Sequence, residues 1–457
     1  MMDKSYVENG SENKATRKVN VMIGLDIGTT KIACFVGVKN DHGKIEIISM
    51  GKSESHGVMR GVVSNIERTI QSIVLAVQSA QERVLSGNLV INNVNVGIAG
   101  QHIKSLQHRG IYTRNTDKGE ISQRDVDALI DDMYRLVMKP GEEIISVFPQ
   151  EYIVDNEQGI KDPIGMAGVR LEANFHILTG HVSNVTNIKT CVERSGLSIN
   201  EIILEPIASA EAVLSQEEKE AGVVLVDIGG GTTDVAIFYE GIIRHTAVIP
   251  FGGNAITEDI KSGCKILQRN AEAVKVKFGS ALASESKENE LVCIPGLRGR
   301  EPKEIRLSTL AGIIQARMEE IIEMVFVEIQ NSGYEDKLIG GIVVTGGGSQ
   351  LKHLPQLIEY VTGLDTRIGY PTEHLANTNQ IEDIKSPMYA TGIGLVLKAF
   401  ENHERGGYQE STSPISEVRT HTDVRIRGNF FSKLISKEGL KKMEDFFLKE
   451  DENNDNK

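Results

Sequence analysis

The chain is short of several things, and each shortage excludes something. No apolar run reaches the ~18 residues that a membrane-spanning helix needs, so with 40% hydrophobic residues the expectation is a soluble globular chain. Cysteine occurs four times, at Cys34, Cys191, Cys264 and Cys293, spaced neither as metal ligands nor as a disulfide framework. Three of the four sit in apolar stretches, where free thiols are commonly buried, and a reducing cytoplasm suits them. No grouping of His, Cys and carboxylates suggests a protein-bound transition metal. A basic excess is also missing. Fifty Lys and Arg against 63 Asp and Glu give a net charge of -13, which disfavours a general nucleic-acid binder and leaves room for local basic patches. Residues 1–20 have no apolar core, so they are not a secretory signal and read as a disordered lead-in.

What the chain does have is one device used twice. Residues 224–238 read VLVDIGGGTTDVAIF: an apolar run into Asp227, a turn of Gly229, Gly230 and Gly231, then Thr232, Thr233 and a second apolar run. The pattern is strand, tight turn, strand. A glycine run lets backbone N–H groups lie against an anion, threonine hydroxyls add donors, and the aspartate is placed to hold water around a divalent cation. Residues 23–36, IGLDIGTTKIACFV, repeat it with Asp26, Gly28, Thr29 and Thr30. A single copy also has a plainer reading as an ordinary glycine hairpin. Two copies about 200 residues apart suggest a duplicated fold gripping one polyphosphate between its halves. A third piece, IVVTGGGSQL at 342–351, is a buried-type strand followed by Gly346, Gly347, Gly348 and a helix start, where a flat ring can approach the backbone.

With these pieces the chain resembles the actin-like ATPase superfamily: two phosphate loops, an adenosine loop, and connecting helices at 204–214 and 389–398. The implied fold class is α/β, two lobes built on duplicated ribonuclease-H-like cores. The blocks IGLDIGTTKIACFVG, PQEY with GIKDPIGMAGVRL, VDIGGGTTDVAIF with RHTAVIPFGGN, AEAVKVKFG and VVTGGGSQL narrow this to a resemblance to the FtsA family of bacterial cell-division proteins, over nearly all of residues 21–400. The expected organisation is subdomain 1A at 21–87 and 167–215, an inserted subdomain 1C at 88–166, subdomain 2A at 216–262 and 336–387, subdomain 2B at 263–335, and a return helix at 388–401. Helices capped by Ser64 with Glu67, by Ser122 with Asp125, and by Ser183 are expected within the first lobe. A flexible linker at 402–425, an amphipathic segment at 426–449 and an acidic tail at 450–457 complete the chain.

The resemblance implies ATP with Mg²⁺ between the lobes. Gly28, Thr29, Thr30, Lys31, Gly229, Gly230, Gly231, Thr232 and Thr233 take the phosphates, and Asp26 and Asp227 the magnesium waters. Gly346, Gly347 and Gly348 pack against adenosine. Glu272 and Lys275, three apart on one helical face, are either a solvated ion pair worth about 0.3 kcal/mol or, as the resemblance implies, ribose and adenine contacts. Glu205 either orients an attacking water or is a carboxylate matched to a helix N-terminus.

In the terminal segment Phe430, Phe431, Leu434, Ile435, Leu440, Met443, Phe446 and Phe447 are interleaved with lysines including Lys433 and Lys437. At about 100° per residue, positions 431 and 440 face opposite ways on a straight helix, and Gly439 between them predicts a kink. Each buried large side chain contributes roughly 1.5–3 kcal/mol and each lysine about 1 kcal/mol at anionic lipid, so one copy binds membrane modestly. Amphipathicity fits docking on a protein surface equally well; the linker and the resemblance favour membrane. The function implied is an ATP-binding protein that polymerises, tethers FtsZ filaments to the cytoplasmic face of the inner membrane through the FtsZ C-terminal peptide, and recruits other division proteins through 1C. Arg306 and Arg317 are the expected contacts for that peptide's acidic residues. Alternatives are an actin-like pilus-assembly platform protein, a small-molecule kinase of the superfamily, and a chaperone ATPase, for which only 57 residues after 400 are too few.

Overall fold

The computed structural model describes residues 20–404, apart from 41, 85–88, 115–118, 287–289, 297–300 and 377–381. Residues 1–19, the linker from 405, the amphipathic segment and the acidic tail lie outside the described residues.

The first lobe opens with an antiparallel meander of β1 (Val21–Ile27), β2 (Lys31–Lys39) and β3 (Ile45–Glu54). A two-residue turn joins β4 (Val58–Met59) to β5 (Val62–Val63). Helix α1 (Ile66–Glu82) follows, and its cap differs from expectation. Asn65, not Ser64, accepts the Arg68 N–H at 3.0 Å, while Ser64 Oγ donates to the Gly57 carbonyl and Glu67 pairs with Arg194. Either residue satisfies an orphan N–H, and the chain direction set by the turn at Gly57 decides which one does. Strand β6 (Asn93–Ile98) then runs parallel to β1.

Strands β7 (Lys104–Thr113), β8 (Glu142–Val154), β9 (Glu157–Ile160) and β10 (Arg170–His181), with helix α2 (Gln123–Tyr134), form a separate layer. Its sheet has the order β7-β10-β8-β9. Ser122 caps α2 as expected, donating its N–H and Oγ to Asp125. Val126, Leu129 and Met133 of α2 bury against Leu171, Ala173, Phe175 and Ile177. The expected limits of this insertion, 88 and 166, are both displaced. Val94, Val96 and Ile98 belong to the first-lobe sheet, and the alternating run from Arg170 belongs to the inserted sheet. Alternation identifies a strand but not its partner, so the boundary shifts to about 100 at one end and to the end of β10 at the other.

Helix α3 (Val182–Arg194) starts one residue before the expected cap, with His181 at N-cap and Ser183 inside the helix. Strand β11 (Ser198–Leu204) completes the first sheet and runs straight into α4 (Glu205–Val213). After α5 (Gln216–Ala221) the second lobe repeats the first: β12 (Val223–Ile228), β13 (Thr233–Tyr239), β14 (Ile242–Ile249), helices α6 (Gly253–Cys264) and α7 (Gln268–Phe278), the hairpin β15 (Leu291–Ile294) and β16 (Lys303–Arg306), α8 (Leu307–Ser332), β17 (Ile342–Thr345), α9 (Leu354–Thr362) and β18 (Thr366–Ile368). The two sheets have the orders β3-β2-β1-β6-β11 and β14-β13-β12-β17-β18. In both, an antiparallel meander is continued by two parallel strands. This is the duplication that the paired hairpins imply.

Helix α10 (Ala390–Glu404) returns to the first lobe, extending three residues into the expected linker, and crosses α4. A Cβ on Gly394 would lie 1.7 Å from the Ala208 carbonyl oxygen, so the crossing is backbone on backbone. The inserted layer adds a second link between lobes. Gln107 and Gln150 donate to the Arg244 carbonyl on β14, Ser105 to the Thr246 carbonyl, and buried His176 meets Thr246 Oγ1 at 3.0 Å.

Gly394→Ala is expected to lower stability by about 1–3 kcal/mol, because the obstructing atom is backbone and cannot rotate away. Gly312→Ala, in α8 with nothing near its Cβ position, is expected to add about 0.5–1 kcal/mol. Urea unfolding of the two variants checks both signs.

Candidate functional site

The two glycine hairpins face each other across the lobes. Loop one joins β1 to β2 and loop two joins β12 to β13. A Cβ on Gly230 would lie 2.3 Å from Thr30 Cγ2, and one on Gly231 2.6 Å from Thr29 Oγ1. Bare backbone is therefore required where the loops meet. The Gly28 N–H closes its own turn on the Lys31 carbonyl at 3.1 Å, and the Gly229 N–H closes its turn on the Thr232 carbonyl at 2.9 Å. Those two predicted phosphate donors hold the loops in shape. The hydroxyls of Thr232 and Thr233 also turn inward, to Asp234 Oδ2 and to the Phe251 carbonyl. Helix α6 braces loop two from behind. Its first N–H groups, on Gly253 and Asn254, donate to the carbonyls of Gly229 and Gly230, and a Cβ on Gly252 would collide with three loop carbonyls.

Asp26 and Asp227 leave their strands at this meeting point, and both are buried. Asp227 Oδ2 accepts from Ser209 Oγ of α4 at 2.7 Å and from Thr391 Oγ1 of α10 at 3.2 Å. Both connecting helices thus hold one carboxylate. Across the hairpin Asp227 faces Asp234, a like-charge pair, where loop one places Asp26 opposite Ala33. Burial, then Asp227, push Asp234 up to about 8, and one of its oxygens has no hydrogen-bond partner. Burial raises Asp26 to about 6, with Lys31 opposing. Asp227 is raised by burial against its hydroxyl donors and Lys31. Glu205, the first residue of α4, has only part of its surface in contact with solvent. Burial of its carboxyl, then Asp26, Asp234 and Asp227, hold it well above the carboxylate range.

Four acids around Lys31 are short of positive charge, which suits a dication. Among the described residues no three His, Cys, Asp or Glu side chains are placed to ligate an ion directly. An ion held through its water shell is what this spacing accommodates.

The third glycine run packs on the second hairpin. Gly346 has φ 83°, and a Cβ there would lie 2.3 Å from Asp227 Oδ1; a Cβ on Gly348 would lie 2.3 Å from Ile228 Cγ2. Those two glycines let β17 close on β12. Gly347 alone has a clear Cβ position. A short 3-10 turn over Gly347–Gln350 follows, in place of the expected helix start. Glu272 and Lys275 do pair, at 2.7 Å, but the pair is not merely solvated. Lys275 Nζ also donates to the Gly253 carbonyl and to Thr257 Oγ1 of α6, at 2.9 and 2.8 Å, beside loop two. Arg317 holds Asp259 with two nitrogens and also pairs with Glu320, which ties α8 to α6; Arg306 is exposed at the end of β16.

The residues that sequence reasoning missed are Ser209, Thr391, Asp234, Gly252 and Thr257. Asp234 was within reach, since it closes the second hairpin where the first has alanine. The two hydroxyl donors to Asp227 lie far from it in sequence, on helices read only as connectors.

Below pH 8 the fold is expected to resist ionisation of Asp234. A carboxyl raised in the folded state contributes stability that is lost as pH rises through its folded value. Between about pH 7.5 and 8.5 the buried His102 and His176, both pushed down by burial to about 4, are neutral in the folded and the unfolded chain alike, and Asp26 is ionised. Asp234, raised to about 8, then sets the slope. The unfolding temperature in chelator is expected to fall over that range, and Asp234→Asn to flatten the fall; a parallel slope in the variant contradicts the assignment.

Known proteins share the architecture described above. The family model for cell division protein FtsA matches residues 224–394, and that for the SHS2 domain inserted in FtsA matches residues 100–179, close to the observed insertion. The chain is 37% identical to cell division protein FtsA of Pseudomonas aeruginosa over 417 residues, covering 90% of this chain and 98% of that one. It is 34% identical to FtsA of Escherichia coli over 400 residues, 86% and 93% of the two chains. Among solved structures it resembles a PilM–PilN type IV pilus biogenesis complex, with TM-score 0.60, 16% identity and coverage of 82% and 98%. It also resembles MreB5 of Spiroplasma citri bound to ADP, with TM-score 0.50, 15% identity and coverage of 85% and 99%. At those identities the structural likeness establishes an actin-like fold. The sequence relatives go further, and the chain belongs to the FtsA family of actin-like cell-division proteins.

Proposed function

We propose that this chain binds ATP with Mg²⁺ between its lobes, polymerises, and tethers FtsZ filaments to the cytoplasmic face of the inner membrane at the division site. The observation that carries the proposal is the carboxylate cluster at the junction of two glycine loops, with Asp227 held by both connecting helices. Magnesium nucleotide supplies a hydrated dication and a transferable phosphoryl group. Asp26 and Asp227 would hold the ion's waters. The backbone of Thr29, Thr30, Gly230 and Gly231, with the Lys31 ammonium, would hold the phosphates, while Gly28, Gly229, Thr232 and Thr233 keep the loops in shape. Gly347 would lie against adenosine, and Lys275 would keep α7 and its Glu272 beside loop two. Glu205, its carboxyl held well above the usual carboxylate range by burial and by Asp26, Asp234 and Asp227, would orient the attacking water.

Because Asp227 is shared by α4 and α10, charge arriving at it bears on the helices that set the angle between lobes. A fixed angle favours head-to-tail stacking, a heterologous contact that produces filaments. Among the described residues no helix is long and apolar enough to cross a membrane. The attachment is assigned to the apolar side chains and interleaved lysines of residues 426–449, strengthened by repetition along the filament. The exposed Arg306 remains the better candidate for the FtsZ peptide, since Arg317 already holds Asp259. The inserted layer recruits further division proteins. The likeness to a pilus protein concerns the fold alone, and the relatives at 34 to 37% identity favour division.

Asp227→Asn, which keeps the hydroxyl bonds, is expected to weaken Mg-ATP binding about tenfold or more and to reduce filaments in electron micrographs. Equal titration isotherms for the two proteins contradict the proposal. Full-length protein is expected to pellet with anionic vesicles while a chain ending at residue 425 stays in solution; equal pelleting removes the terminal segment as the anchor.

A further inference from the structure

The turn between β4 and β5 is a third loop at the phosphate site. Its register pairs Val58 with Val63 and Met59 with Val62, leaving Arg60 and Gly61 as the two central residues. Both have positive φ, 50° and 73°. A two-residue hairpin with both central residues left-handed is the type that favours Asn-Gly, because asparagine tolerates that region and longer side chains do not gain from it. Gly61 obeys the rule. Arg60 stands where asparagine is preferred, and a residue kept in a disfavoured conformation is a reason to look for a role.

The position of the turn supplies one. The Gly61 N–H donates to Thr29 Oγ1 of loop one at 3.2 Å. On the other side, a Cβ on Gly231 of loop two would lie 2.9 Å from Arg60 Cα and 3.0 Å from its N. The turn thus touches both phosphate loops where they meet, and Arg60 projects from the point of contact. Its side chain is exposed and, among the described residues, pairs with no carboxylate. The guanidinium carbon lies 5.9 Å from the centre of the Phe251 ring, in the second lobe. Phe251 precedes the α6 N-terminus that braces loop two, and its carbonyl accepts from Thr233. Arg317 is at the same distance from the ring, but it is fixed by Asp259. An exposed cation–π contact is weak, so an anionic group arriving between the loops competes for Arg60 successfully.

We propose that Arg60 reads the terminal phosphate of the bound nucleotide: it rests on Phe251 and moves to the phosphate when a triphosphate occupies the loops, so that it discriminates triphosphate from diphosphate. This rests on the reading of the cleft as a nucleotide site. The stem of the side chain starts beside Gly231, and the guanidinium presents a planar fork that matches phosphate oxygens better than an ammonium does. The consequence is a first-lobe cation whose partner sits in the second lobe without nucleotide and between the lobes with it.

The turn itself provides a clean test. Arg60→Asn removes the cation and installs the residue that the turn conformation prefers, so the full-length variant is expected to unfold at the same temperature as the parent or higher. Binding of Mg-ATP and Mg-ADP is measured by titration for parent, Arg60→Asn and Arg60→Lys. The asparagine variant is expected to lose about tenfold or more in ATP affinity, with ADP affinity changed less than threefold, as expected for a charged hydrogen bond made to one phosphate only. Lysine is expected to restore part of the difference. An unchanged ratio of ATP to ADP affinity in the asparagine variant overturns the role of Arg60, and so does an equal loss for both nucleotides. A parent chain that takes up neither nucleotide overturns instead the reading of the cleft on which this role depends.

Discussion

Asp227 faces Asp234 across a hairpin, with Asp26 and Glu205 in the same field and Lys31 as the counterweight. Burying that much like charge is unfavourable unless protons or a cation neutralise it. The neighbouring structure concentrates on holding the cluster together. Ser209 and Thr391 donate to Asp227, Thr232 donates to Asp234, and Gly346 brings the edge of β17 against Asp227 because any side chain there would displace it. The site is therefore not an empty cleft between two finished lobes. It is the place where both lobes and both connecting helices converge on one carboxylate.

That convergence gives the connecting helices a double task. They cross at Gly394 against Ala208 with no side chain between them, which makes the crossing point stiff in separation. Each also presents a hydroxyl to Asp227, which makes their relative position sensitive to the charge on that residue. The inserted layer meets β14 differently, through side-chain amides and hydroxyls on backbone carbonyls. Such bonds are individually modest and can be exchanged for water. A tight crossing near the glycine loops and a looser polar contact at the sheet edge are suited to lobes that turn about the first while the second adjusts.

The glycines separate two kinds of requirement that look alike in sequence. Gly230 and Gly231 are needed where two lobes press backbone to side chain, and Gly252 where a helix N-terminus abuts loop carbonyls. Gly346 and Gly348 serve packing between neighbouring strands, and Gly347 of that run could carry a Cβ, with Met388 Cβ 3.9 Å away in ordinary contact. A run of three glycines announces close approach, but what approaches differs from one residue to the next.

Much of this architecture was legible in the chain itself. Strand periodicity, the turn residues and the repeated aspartate-glycine-threonine device are local signals, and they located β1, β2, β12, β13 and β17 and implied a duplicated fold. Local signals also placed Asp26 and Asp227 at strand ends. Other features depended on contacts between residues remote in sequence. The partner of β6 and of β10, and so the limits of the inserted layer, followed from which sheet had an open edge and not from alternation. Asn65 took the cap from Ser64 because a neighbouring turn set the entry of the chain. The inward turn of the Thr232 and Thr233 hydroxyls, the grip of Ser209 and Thr391 on Asp227, and the approach of Arg60 to Gly231 exist only once both lobes are folded together, since burial and charge at a shared site are properties of the assembled chain.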